Sequence, residues 1–318
     1  MSDTPNWIVQ LSPEKRDLLL RRAREGRTPD RSGIQPRRDR SAPAPLSFAQ
    51  QRLWFFDQLQ PGTSAYNVPV AVRITGPLDR RLMKAALTGL IRRHEALRTT
   101  IRQERDEVVQ VVGPGVRAVL EQVELGHLEA AQAERTALDL CIEASRRPFD
   151  LNRGPLLRMT LLQLRAESHV LLLVFHHIIS DLWSLGVLIR ELTLVYSALE
   201  SSRPVVLPEL PIQYTDYAIW QRERLQGDRL EREIEHWRRE LAAVPAVLEL
   251  PVDHLRPPVM RYRGAHLSIQ QPAERTRALK ELAQRCEATL FMALLTAYGV
   301  LLARFSGQEI LAVGSPGA

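Results

Sequence analysis

The fold class follows from residues 170–184, whose sequence is VLLLVFHHIISDLWS. The first six positions are all apolar, and a strand that is apolar on both faces is typical of a central, buried place in a sheet. Ser180 and Asp181 stand just before a helical pattern, and both residue types cap helix N-termini. The segment therefore predicts a buried strand, a tight turn and a helix, as in proteins that mix strands and helices in one core.

Strand and helix patterns alternate on both sides of this segment, without a fixed-period repeat. A proline-bearing stretch at about 203–213 predicts a boundary between two lobes. These patterns indicate an α/β or α+β class. The predicted strands include Pro69–Ile74, Val116–Val123, Leu156–Leu164, Gly264–Ile269 and Ile310–Val313, and the predicted helices include residues 47–59, 79–93, 128–146, 183–199, 214–225, 230–241, 273–288 and 290–305.

Three parts are expected along the chain. Residues 1–44 are predicted to form a short amphipathic helix at 11–26 and a linker rich in proline and arginine, 45–208 a first lobe and 209–318 a second lobe. The strand predicted at Ile310–Val313 needs a neighbour to pair with, yet the sequence ends five residues later. We therefore expect the second lobe to be incomplete.

Composition excludes several classes of protein. Of the 318 residues, 45% are hydrophobic and 25% charged, as in folded globular domains. Lys and Arg number 43 against 37 Asp and Glu, but the basic residues are nearly all arginines interleaved with acids, which is typical of solvated helix faces. We therefore expect no nucleic-acid partner. No apolar run approaches the ~18 residues of a membrane helix, and the widely separated Cys141 and Cys286 favour a reducing compartment, so a cytoplasmic protein is expected.

The adjacent histidines are the strongest candidates for chemistry. Neighbouring strand residues point to opposite faces, so only one of His176 and His177 can enter a given cleft. An imidazole there could accept a proton near neutral pH, and Asp181 could fix the local geometry through an arginine. The alternative is that the two histidines are only packed and hydrogen-bonded, without a role in chemistry. A metal site is less favoured because no third ligand stands at a usual spacing, and a serine hydrolase is disfavoured because there is no G-x-S-x-G turn.

Several further motifs occur in a defined order. His176–Asp181 resembles the HHxxxDG signature of condensation domains of non-ribosomal peptide synthetases, members of the HHxxxD acyltransferase superfamily. Ser47–Arg52 is similar to the family's SxAQxR motif, Arg93–Thr99 to RHExLRT, and Tyr214–Gln221 to YxDYAxWQ. The resemblance runs from about position 45 to the last residue, and its other matches are Tyr66–Pro69, Pro148–Leu151, Gly154–Arg158, Leu250–Asp253 and Gly314–Pro316.

This resemblance implies a fold related to chloramphenicol acetyltransferase, with two sandwich lobes in a V and a tunnel between them. It also implies a reaction that joins an upstream acyl or peptidyl thioester to the amine of a downstream aminoacyl thioester. Both substrates would be phosphopantetheine thioesters on upstream and downstream carrier proteins, with an adenylation domain as neighbour. No metal or other cofactor would be bound by the domain itself.

The resemblance also assigns roles to residues. His177 would orient or deprotonate the attacking amine, and His176 would face inward as a structural residue. Asp181 would be structural and ion-paired with Arg93 or Arg98. Four more residues are candidates for the substrate tunnel or the loop: Gln50, Arg52, Leu182 and Ser184.

One departure from the family pattern stands beside the signature, because Leu182 occupies the position of the usual glycine. If the loop needs a positive φ there, leucine would strain it and shift the backbone; a backbone that suits both residues is the other possibility. An ordinary condensation domain that takes an L-configured upstream residue is the favoured subtype. Two alternatives are a stand-alone acyltransferase with the same His177 chemistry and a non-catalytic remnant that docks carrier proteins.

Overall fold

The computed structural model describes residues 33–115, 117–254 and 267–315. Its contacts divide the chain into two units, of which the first extends to Glu223 and the second begins at Arg224. The helix predicted at 11–26 lies outside the described residues. The histidine pair belongs to the first unit.

A four-stranded sheet forms the centre of the first unit, with the strand order β2-β7-β6-β5. Strand β7 is antiparallel to both β2 and β6, whereas β5 runs parallel to β6. Every residue of β7 after the first is buried, which confirms the prediction of a central strand. The strands are β2 (Asn67–Thr75), β5 (Leu120–Glu124), β6 (Leu157–Arg165) and β7 (Ser168–His176).

A second, smaller sheet has the order β1-β4-β3, and all of its pairings are antiparallel. Among its described residues, the same unit also has five helices and two short 3-10 turns. The strands are β1 (Ala44–Pro45), β3 (Thr99–Glu104) and β4 (Glu107–Val112); the helices are α1 (Phe48–Leu59), α2 (Arg80–Arg93), α3 (Ala130–Arg146), α4 (Leu182–Glu200) and α5 (Tyr214–Arg224); the 3-10 turns are Glu95–Arg98 and His177–Ile179.

The two faces of β7 contribute to different hydrophobic clusters because alternate strand residues point to opposite sides. Leu171, Leu173 and Phe175 join the main core with residues of α2 and α4, while Val170 joins a smaller cluster with residues of α3. The sheet is thus covered on both faces, and β7 delivers the histidines from the interior of the unit.

Helix α4 is long and apolar enough to cross a membrane by length and composition, with a mean hydropathy of 1.4 over the relevant window. In the structure one side of this helix packs into the main core through four apolar residues. These are Leu185, Leu188, Leu192 and Val195. Packing inside the first unit therefore accounts for the apolar residues on that side of the helix, whereas Leu182, Trp183 and Leu194 are exposed.

The boundary between the units lies later than predicted. The hydroxyl groups of Tyr214 and Ser47 are 2.9 Å apart, and the backbone N–H of Phe48 donates to the side chain of Gln221 at 2.9 Å. These contacts tie α5 to the start of α1, so the unit ends after Glu223 and not after residue 208. Proline content alone misplaced the boundary because it does not show where the following helix packs.

The linker predicted at 27–44 is not a free connector over residues 33–44, the part of it that the structure describes. Arg37 lies 2.9 Å from the buried carboxylate of Glu95, and the backbone N–H of Arg37 donates to Asp216 at 3.0 Å. A charged side chain that pairs with a buried acid is held in place, so this stretch is part of the first unit and not a free connector.

The described part of the second unit is helical. It contains α6 (Gly227–Glu240), α7 (Ala273–Arg285) and α8 (Leu290–Ser306). The strand predicted at Ile310–Val313 is wrong in this structure, since the segment has no ladder partner among the described residues and adopts no regular structure. The strand predicted at Gly264–Ile269 falls partly outside the described residues, and Leu267–Ile269 is not a strand.

Candidate active site

The two histidines mark the point where the central strand ends. His176 is the last residue of β7, and His177 opens the 3-10 turn that leads to α4. The backbone N–H of His177 donates to the carbonyl of Tyr66 at 2.8 Å, and that of His176 donates to Leu156 at 3.0 Å. Both backbones are thus fixed, so the two rings take their directions from a rigid frame.

His176 faces the interior and is 2% exposed. Its Nδ1 accepts the backbone N–H of Ile178 at 3.1 Å, and its ring lies near Tyr66 and edge-on to Phe149. Burial, aided by the neighbouring His177, lowers the pKa of His176 to about 4. A ring that is neutral, buried and bonded to the backbone is placed to support the turn.

The ring of His177 is exposed. Its Nδ1 lies 2.6 Å from the carbonyl oxygen of Ser180. Because a carbonyl oxygen only accepts, Nδ1 carries the hydrogen and Nε2 of the neutral ring keeps its lone pair. The geometry therefore presents Nε2 as a hydrogen-bond acceptor, which is the form that a general base requires.

Asp181 is the N-cap of α4. Its carboxylate accepts the backbone N–H of Ser184 at 2.7 Å, and the Ser184 hydroxyl accepts the backbone N–H of Asp181 at 2.8 Å. This reciprocal arrangement satisfies N–H groups that a helix start leaves without partners. Asp181 and Ser184 are both exposed, and together they fix where α4 begins after the histidine turn.

Leu182 is the first residue of α4 and is 86% exposed. It is absent from the described non-glycine residues with positive φ, which are Arg105, Ser202 and Glu287. The backbone here thus suits leucine as well as glycine, and the predicted possibility of a strained, shifted loop does not apply. What the substitution adds beside the turn is an apolar side chain.

The ion pair predicted for Asp181 is wrong. Nε and Nη2 of Arg93 donate to Glu191 at 3.1 and 3.3 Å. Glu191 follows Asp181 by ten residues on α4, a rise of about 15 Å along the helix axis. The physical reason is burial: Glu191 is buried whereas Asp181 is exposed and already engaged as a cap.

Glu191 also contacts His94, whose Nε2 lies 2.7 Å from the carboxylate. Burial by itself raises the pKa of Glu191, but hydrogen bonds from His94 and Arg93 outweigh burial and hold the pKa below its ordinary value. Glu191 was not among the residues singled out from the sequence, although its position in the helical pattern indicates a buried carboxylate. It lies on the apolar stripe formed by Leu188, Leu192 and Val195, where a carboxylate requires a buried cationic partner.

Arg98, the other predicted partner of Asp181, is engaged elsewhere. It donates to the carbonyl of Gly113 and lies 3.8 Å from the carboxylate of Glu95. Glu95 is buried and also pairs with Arg37 and Arg40. The Arg93–Thr99 motif therefore supplies two buried ion-pair clusters, and neither includes Asp181.

The two candidates on α1 differ in their surroundings. Gln50 is 3% exposed, and its amide nitrogen lies 3.3 Å from the carbonyl oxygen of Ile178 in the histidine turn. Arg52 is exposed on the same helix. The structure thus places six of the predicted site residues in the histidine turn, at the start of α4 or in contact with the turn. They are Gln50, His176, His177, Asp181, Leu182 and Ser184.

Metal ligation is a further possibility wherever histidines stand together. Within residues 33–115, 117–254 and 267–315, however, no group of three or more His, Cys, Asp or Glu side chains could hold a metal ion.

The chain resembles known proteins in both sequence and fold. The family model of the condensation domain matches residues 41–318. One of the subunits of the linear gramicidin synthase of Brevibacillus parabrevis is 47% identical over 272 residues, which are 86% of this chain and 4% of that protein. The phosphinothricin tripeptide synthetase PhsC of Streptomyces viridochromogenes is 43% identical over 317 residues, 99% of this chain and 29% of that protein.

Solved structures have the same fold. The X-domain in its complex with OxyB from teicoplanin biosynthesis superposes with a TM-score of 0.73 at 29% identity, over 86% of this chain and 60% of that one. The chain spans only a small part of the synthetases that it matches. On the family match, the identities and the shared fold, this chain belongs to the condensation-domain family of non-ribosomal peptide synthetases, with the chloramphenicol-acetyltransferase-like fold of that family.

Proposed function

We propose that this chain forms an amide bond between an upstream acyl or peptidyl thioester and the amine of a downstream aminoacyl thioester, with His177 as the catalytic residue. One observation carries the proposal. Nδ1 of His177 is held by the Ser180 carbonyl at 2.6 Å while the ring is exposed, so Nε2 is available to an incoming amine. The resemblance of the chain to synthetase condensation domains supports the choice of substrates.

The proposed reaction needs one acceptor atom. The amine nitrogen attacks the thioester carbonyl carbon, and a C–N bond forms as Nε2 of His177 accepts a hydrogen bond or a proton from the amine. The C–S bond then breaks, and the departing sulfur takes up the proton, so that an amide and a free thiol result. Orientation of the amine against the carbonyl supplies much of the rate, since correct placement of two reactants lowers the barrier substantially.

The remaining residues of the turn would act through His177. His176 supports the turn from the interior, with its Nδ1 on the backbone N–H of Ile178. Asp181 and Ser184 fix the start of α4. We propose no direct contact between these three side chains and the substrate.

The partners proposed for the reaction are an upstream and a downstream carrier protein, each bearing its substrate on a phosphopantetheine arm, and a neighbouring adenylation domain. The domain itself would need no resident cofactor, because the thioesters arrive already activated. The synthetases that match this chain support these partners, and a cytoplasmic location is proposed with them.

The test is a mass-spectrometric assay with two loaded carrier proteins. His177→Ala is expected to abolish the condensation product while the protein keeps its fold. His127→Ala is the matched control because His127 is an exposed histidine of the same unit, and it should leave the product unchanged. Undiminished product from His177→Ala would remove the catalytic assignment.

A second candidate function is a docking module that binds carrier proteins without catalysis. It is favoured by Leu182, which places an exposed apolar side chain where the signature has glycine, and by the X-domain, which was solved in complex with another protein, OxyB. Binding of a loaded carrier protein by the parent chain, with no amide product in the same assay, would support this alternative.

A further inference from the structure

We infer that Gln50 is a positioning residue for His177, acting through the backbone of the histidine turn. This inference rests on the proposed function of His177. Gln50 is a side chain of α1, more than a hundred residues away in sequence, and is almost completely buried. Its amide links the N-terminus of α1 to the carbonyl of Ile178, the middle residue of the 3-10 turn that His177 opens.

The orientation of the Gln50 amide follows from its partners. The backbone N–H of Ser47 can only donate, so it faces Oε1 at 3.0 Å, and the carbonyl of Ile178 can only accept, so it faces Nε2 at 3.3 Å. The Ser47 hydroxyl accepts the backbone N–H of Gln50 at 3.1 Å. The amide is therefore held at both ends in one direction.

A buried network holds Gln50 from the other side. Nε2 of Gln50 lies 3.5 Å from Oε1 of Gln110, and Nε2 of Gln110 donates to the carbonyl of Pro45 at 2.9 Å. Gln110 is 1% exposed. Because buried polar groups without partners are costly, the side chains of such a network have little freedom to rearrange.

The same network reaches α5, the helix that carries the Tyr214–Gln221 motif. The Tyr214 hydroxyl is 2.9 Å from the hydroxyl of Ser47, which caps α1. Two motifs that lie far apart in the chain thus meet at the cap of α1, three residues before Gln50. The contact to Ile178 fixes the turn between His177 and Ser180, whose carbonyl accepts from the His177 ring. Loss of the Gln50 amide donor would let the ring depart from its set direction.

Replacement of the amide by a carboxyl tests this inference. In Gln50→Glu, at a pH high enough to ionise this buried carboxyl, an oxygen would face the Ile178 carbonyl without a hydrogen to donate. We expect kcat to fall about 100-fold with KM unchanged, since small displacements of a catalytic group cost that much. The ratio of variant to parent kcat should rise as the pH is lowered, because a protonated carboxyl can again donate to Ile178.

A readout that does not depend on turnover is the NMR spectrum of the ring nitrogens in protein labelled with ¹⁵N-histidine. In Gln50→Glu, at a pH that ionises the new carboxyl, the Nδ1-protonated tautomer of His177 should lose its dominance. Gln58→Glu is the matched control, since Gln58 is an exposed glutamine of the same helix, and it should change neither kcat nor the spectrum. If Gln50→Glu does not fold, Gln50→Met replaces it. Gln50→Met should lower kcat and reduce the Nδ1-protonated form of His177, and neither quantity should recover at low pH.

The outcomes separate this inference from the proposed function. Gln50→Met, or Gln50→Glu with its carboxyl ionised, overturns the positioning role if it folds and keeps the parent's His177 spectrum, whatever its kcat. An altered spectrum together with a lowered kcat supports it. If the parent forms no amide at all, the proposed function fails, and the spectra of the parent and the Gln50 variants alone decide whether Gln50 positions His177.

Discussion

Arg93 and Glu191 form a two-point contact in which Nε and Nη2 of the guanidinium donate to the two carboxylate oxygens at 3.1 and 3.3 Å. His94 adds a third bond to the same carboxylate. The contact joins the C-terminal end of α2 to the middle of α4, the helix that follows the histidine turn. The arginine that opens the Arg93–Thr99 motif therefore braces two core helices.

Glu191→Gln should destabilise the first unit. A neutral amide leaves the Arg93 charge without its partner in a largely buried place, and breaking such a pair costs about 3 kcal/mol. The free energy of unfolding in urea measures the effect. Glu200→Gln, at the exposed end of the same helix, should stay within about 0.5 kcal/mol of the parent. Equal stability of the two variants would contradict the brace.

Asp181 should behave as a helix cap and not as a buried ion. Asp181→Asn is expected to keep the parent's melting temperature because asparagine caps as well as aspartate does, whereas Asp181→Ala should cost about 1 kcal/mol. Asp79→Ala serves as a comparison, because it removes the side-chain cap of α2 and should cost a similar free energy of unfolding. A large loss of stability in Asp181→Asn would restore an ionic role for the aspartate.

Stability should depend on pH through His176. Its pKa is lowered from 6.5 to about 4 in the folded protein, chiefly by burial and then by His177. Between these values the unfolded chain binds a proton that the folded protein does not. The contribution of His176 to the free energy of unfolding is therefore fully present above pH 6.5. As the pH is lowered, the free energy of unfolding falls by about 3 kcal/mol in total and levels off near pH 4.

His176→Asn isolates this effect. The asparagine oxygen can still accept the N–H of Ile178 but does not titrate. Urea unfolding at several pH values between 6.5 and 4 should show a shallower slope in the variant. A residual slope is expected from His169, a buried histidine whose pKa is also lowered. Identical slopes in the variant and the parent would refute the assignment.

Leu182→Gly tests whether the departure from the signature strains the turn. Because Leu182 starts α4 without a positive φ, glycine should bring no relief and should cost up to about 1 kcal/mol through the greater freedom of the unfolded chain. Unfolding in urea gives the sign directly. A gain in stability would indicate a strained leucine. Leu194→Gly, at an exposed position inside the same helix, should cost about as much.

Local features of this protein could be predicted from its sequence. The continuous apolar run of β7 predicts a strand buried on both faces, and the structure confirms it. The change from strand to helix at Asp181 was also predictable, since a cap and its partner Ser184 lie only three residues apart. Strand alternation predicted only that the two histidines face different sides, and the family resemblance assigned the interior side to His176, which is buried while His177 is exposed. Such features depend on periodicity and on neighbours within one turn.

Which distant groups meet was settled by packing in three dimensions. Arg93 pairs with Glu191 and not with Asp181, Gln50 reaches the Ile178 carbonyl, and α5 joins the first unit. Each of these outcomes depends on burial after packing, because a buried carboxylate or carbonyl must find a donor whereas an exposed group can use water. Motif residues show that a donor and an acceptor are present, but the packing of helices around β7 determines which of them lie within hydrogen-bonding distance.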